Sequence, residues 1–410
     1  MIISPPKLKT LLIMLAGAAL CGLALWVGLA NVARSLPPQT FGNSEFNDAR
    51  LLARKSEMIL ISSQQPPAIA LAADYAKRAL IKDPTVVSAV RTLAALSELK
   101  KDDARALKLM RYAQKMSRRD FATHYWFIDY EANQNNVAGA LEHYDAALRT
   151  SRAAEPILMP ILLSALDDRA AAQELIDPLA NILARRPAWA DRFVTRSHSE
   201  VQSTATLMQL AMTLRQKGYA INPASKQVLI NRAVADNLYL DALRLSARPK
   251  HNDFVYNQNF SLEPTYPPFD WVLSTDPNLN SERVSKDETG RNYNLNLVAG
   301  SGRSGILAKQ LLLLAPGTYD LKARVSNVPA DIADRPFLTL RCASGTKTAF
   351  ATNDFPQAGE APTDFGFTFR VSQPDCVAQW LEISAKASNQ IGGTQSYLES
   401  IRISRAAQPS

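Results

Sequence analysis

The chain has 410 residues, 47% of them apolar and 20% charged, which excludes a disordered chain and leaves room for two ordinary domains with real cores. Its formal charge of +8 is unevenly placed: residues 251–410 hold 14 Lys/Arg against 16 Asp/Glu, leaving 32 against 22 for residues 1–250. A basic excess spread over 250 residues is ordinary solvation. Nucleic acid is not expected as a partner, while anionic headgroups, acidic polysaccharide or an acidic protein fit the sign.

Residues 10–32, TLLIMLAGAALCGLALWVGLANV, are uncharged, with Lys7 and Lys9 before them and Arg34 after. As a helix at about 1.5 Å per residue the segment spans a hydrocarbon core of about 30 Å. The cationic N-terminal flank predicts an N-terminus held in the cytoplasm. Residues 1–36 are therefore expected to be a short cytoplasmic stub and a transmembrane anchor, placing the chain in a bacterial inner membrane as a single-pass protein with its bulk periplasmic. The alternative is a cleaved signal peptide with Gly28-Leu29-Ala30 at the cut, although this apolar run is longer than signal cores usually are. Cys21 has Leu20 before it, where a lipoprotein signal needs a small residue.

Residues 45–248 form an all-α region: rich in Ala, Leu, Arg and Lys, poor in Gly, and apolar at helical spacing. An internal period is visible. Ala72, Ala106 and Ala140 stand 34 residues apart, as do Ala79, Ala113 and Ala147, with Ala76, Met110 and Tyr144 between them and Asp83-Pro84 closing the first unit. Over about 100 residues these positions resemble the tetratricopeptide repeat, whose second helix carries a small, a larger and a small residue at offsets of four and three. The first helices depart from that family: Leu93-Ala94 stands where Leu-Gly is preferred, Phe127-Ile128 stands in the third unit, and the usual Trp and Tyr are missing. After residue 155 the register is lost, which reads as degenerate repeats and a cap. The resemblance implies an α-solenoid with a concave groove for a protein partner, lined by Arg54 and Glu57, by Arg91, Ala95 and Glu98, and by Tyr125, Asp129 and Asn133. Mere solvated surface is the alternative for these residues. Lys101, Arg105, Lys108, Lys115 and Arg119 follow at helical steps on the second helix of the middle unit, as a solvated face or as a stripe for acidic polymer or lipid.

Near residue 251 Pro, Asn, Gly, Ser, Thr and aromatics rise and alternating runs begin, so a second domain is placed at 252–405. Strands are expected at 293–298, 306–314, 317–325, 337–342, 365–371, 378–385 and 397–404, with a turn at Pro316-Gly317. Strands this dense, with no helical pattern between them, predict an antiparallel β-sandwich. Cys342 and Cys376 read as one disulfide in an oxidising compartment, with two buried thiols as the alternative. The runs Asn257-Gln258-Asn259-Phe260, Pro268-Phe269-Asp270-Trp271, Ala315 to Leu321 and Tyr397 to Ile403 resemble the jelly-roll sandwiches of carbohydrate-binding modules. That resemblance implies glycan stacking on exposed aromatics, for which Tyr266, Trp271, Tyr293 and Trp380 are the candidates. Trp271 and Trp380 sit in apolar company and are equally candidates for the core.

No constellation for catalysis, metal or cofactor emerges. Gly300-Ser301-Gly302-Arg303-Ser304-Gly305 matches a phosphate-cradling pattern, but strand-like sequence follows where a helix is needed, so it reads as a hairpin loop. His124, His143, His198 and His251 are far apart in sequence. Asp102-Asp103 and Asp167-Asp168 read as helix-end residues. The expectation is a multidomain α-then-β envelope scaffold, not an enzyme and without a cofactor, binding a protein partner through the repeats and polysaccharide through the sandwich. Exopolysaccharide or O-antigen assembly and export is the expected setting. A polysaccharide-acting enzyme or its accessory subunit, and a purely structural interaction module, are the alternatives.

Overall fold

The computed structural model describes residues 48–249, 253–287, 292–344, 349–372 and 376–406. The expected anchor at 10–32, Cys21 and His251 lie outside them. No described helix is long and apolar enough to cross a membrane. The chain divides into two compact units, one ending at Ile221 and the other beginning at Asn222.

The first unit opens with three helical hairpins: α1 (Ala49–Ser62) with α2 (Pro66–Lys82), α3 (Val87–Leu99) with α4 (Asp103–Met116), and α5 (Phe121–Asn133) with α6 (Val137–Thr150). Side chains at the starts fix the boundaries, because an Asp or Asn oxygen takes up one of the orphan N–H groups of the first turn. Asp48, Asp102, Asp120 and Asn136 accept from Leu51, Arg105, Thr123 and Gly139 N–H. Pro66 supplies the preset φ at the head of α2.

The 34-residue period is a packing period. Ala72, Ala106 and Ala140 are buried, as are Ala79, Ala113 and Ala147, and Ala76, Met110 and Tyr144 fill the place between. Small residues at both ends of this motif let each second helix lie close against its first. The middle position varies from Ala to Met to Tyr, and Met110 packs with Ala94 and Phe127. After Thr150 the pairing changes: α7 (Glu155–Ser164) packs with α9 (Ala190–Glu200), and α8 (Arg169–Ala184) packs with both α6 and α10 (Thr204–Gln216). The hinge of that rearrangement is polar but buried, with Trp189 Nε1 donating to Asp145 at 3.0 Å.

In the second unit α11 (Pro223–Ala235) and α12 (Tyr239–Ser246) come with the strands and not with the repeats. Gln227 Nε2 donates to Pro267 O and Arg248 Nη1 to Phe269 O, each at 3.0 Å. The change of texture near residue 251 marks where helices stop, which is a different place from where the two packed units part.

The strands are β1 (Val272–Leu273), β2 (Thr275–Asp276), β3 (Leu279–Ser285), β4 (Tyr293–Ala299), β5 (Gly305–Leu312), β6 (Gly317–Ser326), β7 (Phe337–Cys342), β8 (Ala349–Asp354), β9 (Thr363–Val371), β10 (Gln379–Ala385) and β11 (Thr394–Arg405). They form two antiparallel sheets, one ordered β1-β5-β10-β7-β8 and the other β2-β3-β4-β11-β6-β9. Each expected strand is present, and β1, β2, β3 and β8 are additions. Alternation decides which side chains enter the core. In β6, Tyr319, Leu321, Ala323 and Val325 point in, while Thr318, Lys322 and Arg324 point out.

Cys342 at the end of β7 is joined to Cys376 just before β10, with Cα atoms 5.3 Å apart. The 300–305 segment is not a hairpin loop. It links β4 and β5, which belong to different sheets, and Gly302 N–H donates to Ser388 O at 2.7 Å. At the start of β11, Gly393 holds φ at +82°, and a side chain there would run into the carbonyl of Ala299.

Candidate functional sites

The groove residues proposed for the repeats all lie on α1, α3 and α5, and they form three local contacts. Arg91 Nη2 binds Glu57 Oε1 at 2.7 Å and its Nε lies 3.3 Å from Asp120, so one guanidinium ties the three hairpins together. Burial pushes the Glu57 carboxyl up, opposed by the charges of Arg91 and then Arg54. Glu98 accepts from Trp126 Nε1 at 2.7 Å, and Asp129 accepts from Asn133 Nδ2 at 3.2 Å. Desolvation raises both carboxyls as well. Ala95 is half-buried beside them, and Tyr125 meets Phe121 edge-on with centroids 6.1 Å apart. Trp126 and Tyr130, stacked with centroids 5.2 Å apart, are not among the residues the repeat resemblance implies. Their signal was available: Trp126 is an aromatic one residue past Tyr125 on the same helix.

The structure also unites two histidines that are 19 residues apart. His124 Nδ1 and His143 Nδ1 are 3.0 Å apart, and His124 Nε2 faces Arg118 O at 2.9 Å. The His143 ring stacks on Phe127, centroids 4.7 Å apart. Burial, and then the neighbouring His124, hold His143 below its usual 6.5. A pKa lowered by folding means the unfolded chain binds more protons. The stability it contributes is therefore present above about pH 6.5 and lost as pH falls through the folded value. Glu57, Glu98 and Asp129 run the opposite way, at lower pH. The first unit is thus expected to lose stability as pH falls below about 6.5, and His143→Asn to flatten that loss, as read by thermal unfolding at each pH. An unchanged slope in the variant would remove the histidine pair as its cause. Among the described residues no three His, Cys, Asp or Glu converge as a metal site would require.

The aromatic candidates of the sandwich prove unequal. Trp271 is 1% exposed, with Nε1 donating to Asn257 O at 3.2 Å. It cannot stack on sugar, because its apolar faces fill the core against Phe260. Tyr293 lies under the Arg283 guanidinium, 4.1 Å from the ring centroid. That guanidinium is held by Phe260 O, Ser261 O and Glu263. Trp380 faces out of the β5/β10 sheet beneath Lys309 Nζ at 4.8 Å, and Tyr266 packs edge-on against Tyr256. Cations or neighbouring rings thus stand against the three rings that remain half-exposed.

The two outer faces of the sandwich also differ. Over the β5/β10 sheet Leu311 and Glu382 are buried although they point away from the core, and Leu311 N–H donates to Pro268 O at 2.8 Å. The other sheet carries a polar field on its outer face, with half-exposed Tyr397 and exposed Gln395 over the buried Asn296 and Ser326. Half-exposed Tyr397 on β11 faces Asn296 of β4 and Ser326 of β6 across the strands. Gln395 Nε2 donates to Asn296 Oδ1 and to the Tyr397 hydroxyl, each at 2.9 Å, and Asn296 Nδ2 reaches Glu282 at 3.4 Å. Glu399 accepts from Ser326 Oγ at 3.0 Å and pairs with Lys286 at 2.7 Å. Further along the face, where Gly366 has no side chain, a depression of ≈ 650 Å³ opens between Asp320, Lys322, Asp364 and Thr368. An aromatic ring surrounded by amides, hydroxyls and carboxylates supplies both an apolar platform and bidentate hydrogen bonding. Tyr397 is not among the expected aromatics because the closing strand reads simply as alternation.

No family model and no curated protein matches the chain. Among solved structures it is similar to a Bacteroides thetaiotaomicron protein regarded as sugar-binding, at 10% identity and TM-score 0.31, over 38% of this chain and 100% of that one. It is also similar to the module TmCBM61 in complex with β-1,4-galactotriose, at 12% identity and TM-score 0.27, over 38% and 100%. A third is PilW, a type IV pilus biogenesis factor, at 14% identity and TM-score 0.27, over 49% and 91%. Similarity this low says nothing about what the chain binds.

Proposed function

We propose that the chain is a non-catalytic bacterial envelope scaffold whose sandwich binds glycan on the outer face of the β3-β4-β11-β6-β9 sheet. The observation that carries this is the polar field around Tyr397. Its amide and carboxylate groups are held by one another at strand spacing, so they are preorganised for a chain of hydroxyls. The hairpins act as tetratricopeptide-type repeats, and the α1, α3 and α5 surface carrying Glu57-Arg91-Asp120, Glu98-Trp126 and Asp129-Asn133 receives a protein partner. The apolar 10–32 segment anchors the chain in the inner membrane with both units in the periplasm, where the Cys342–Cys376 bond persists. Exopolysaccharide or O-antigen assembly and export is the process this arrangement serves.

The test is binding of the full-length chain to a panel of neutral bacterial polysaccharides by calorimetry. Tyr397→Ala is expected to weaken binding roughly tenfold, about 1.4 kcal/mol, and Tyr266→Ala to leave it unchanged. If no neutral glycan binds, or Tyr397→Ala binds as well as the parent, the face is not a glycan site.

A further inference from the structure

The second helix of the middle hairpin, α4, has a cationic stripe that the repeat does not require. Arg105, Lys108, Arg111 and Lys115 are exposed on α4, with Lys101 before it and Arg119 after it. Steps of three or four residues set neighbouring charges about 5–6 Å apart along a helix some 21 Å long. Like charges at that spacing disfavour the helix. Among the described residues none of the six makes an ion pair that would relieve the repulsion.

The period shows that the stripe is not a packing necessity. One repeat earlier and one later, Arg105 corresponds to Leu71 and Gly139, Lys108 to Asp74 and Glu142, and Lys115 to Ile81 and Arg149. In the middle of the stripe Tyr112 is 49% exposed. Ala104, Arg105, Lys108, Leu109 and Tyr112 line a trough of ≈ 610 Å³.

We propose that this trough and stripe bind an acidic polysaccharide, a linear chain bearing one carboxylate per sugar or nearly so. Regularly spaced cations pair with the carboxylates, and Tyr112 receives the apolar face of a sugar ring set between them. The charge pattern suits such a chain better than the other polyanions. A membrane surface calls for apolar side chains that insert, and here Leu109 is half-buried and Tyr112 stands alone. An acidic peptide pairs its carboxylates with such cations too, but it carries no regular succession of apolar ring faces for Tyr112. The site is separate from the Tyr397 face and does not depend on it.

The experiment measures the full-length chain against oligogalacturonate, with polyglutamate and anionic lipid vesicles as competing polyanions, at low and physiological salt. Oligogalacturonate is expected to bind best, with affinity falling as salt rises. Arg105→Glu with Lys108→Glu should weaken it at least about tenfold, since two attractions become repulsions. Tyr112→Ala should weaken it several-fold with the salt dependence kept. Circular dichroism of each variant confirms an intact helical unit. No binding, equal or better binding of polyglutamate or vesicles, or indifference to Tyr112→Ala overturns the proposal. Loss of neutral-glycan binding in Tyr397→Ala reports on the sandwich alone, so the two readings fail separately.

Discussion

Trp271→Ala is expected to destabilise the second unit by about 3–5 kcal/mol, the cost of emptying a large buried aromatic site that relaxes only in part. The ring is 1% exposed and tilted against Phe260, their centroids 5.4 Å apart. The substitution also takes the indole donor away from Asn257 O, leaving a buried carbonyl without its partner. Its backbone N–H is held by Asp270 Oδ1 at 2.7 Å, and Thr265 N–H binds Oδ2 of the same carboxylate. Burial pushes that carboxyl up despite these bonds, so it tolerates little disturbance nearby. For a unit of this size the loss corresponds to a fall in Tm of roughly 10 °C. Calorimetry should show the sandwich transition moving and the helical one staying. A shift below about 2 °C would mean that the ring is not a core element. Loss of glycan binding in this variant would accordingly report unfolding.

Opening the Cys342–Cys376 bond is expected to cost the same unit about 3–4 kcal/mol, from the loop-closure entropy of a 34-residue separation. The bond fixes the segment ahead of β10 to the end of β7, and β10 is the central strand of its sheet. Cys376 is buried and its carbonyl accepts from Gln379 Nε2, so the released segment would also loosen a buried side chain that bonds Leu314. The paired substitution Cys342→Ser with Cys376→Ser, and the parent chain under reductant, should fall in Tm together. A parent chain whose Tm is indifferent to reductant would show that the bond does not carry this stability.

The repeat illustrates what was legible. The six alanines at the 34-residue interval are readable because close helix packing demands small side chains wherever it occurs, and each of the six is buried. Strands were readable for the same kind of local reason, since alternation reflects a pleat with one wet face. Other features depended on partners distant in sequence. Tyr397 and Leu398 visibly alternate, but only pairing with Asn296 and Ser326 shows that Tyr397 joins a polar field. Trp271 and Trp380 both sit in apolar company along the chain, yet one fills the core and the other faces out beneath Lys309.

By itself, then, the sequence determined that a helical half precedes a strand-rich half and the period of the hairpins, because each rests on local propensity or small-residue packing; it left Cys342 and Cys376 as one disulfide or two buried thiols, and the structure joins them. Only the tertiary structure decided that α11 and α12 go with the sandwich, that His124 meets His143, and which sheet face carries the polar field. Those outcomes depend on which surfaces cover one another, and a side chain's neighbours across a sheet or between helices are set by the packing of the whole unit.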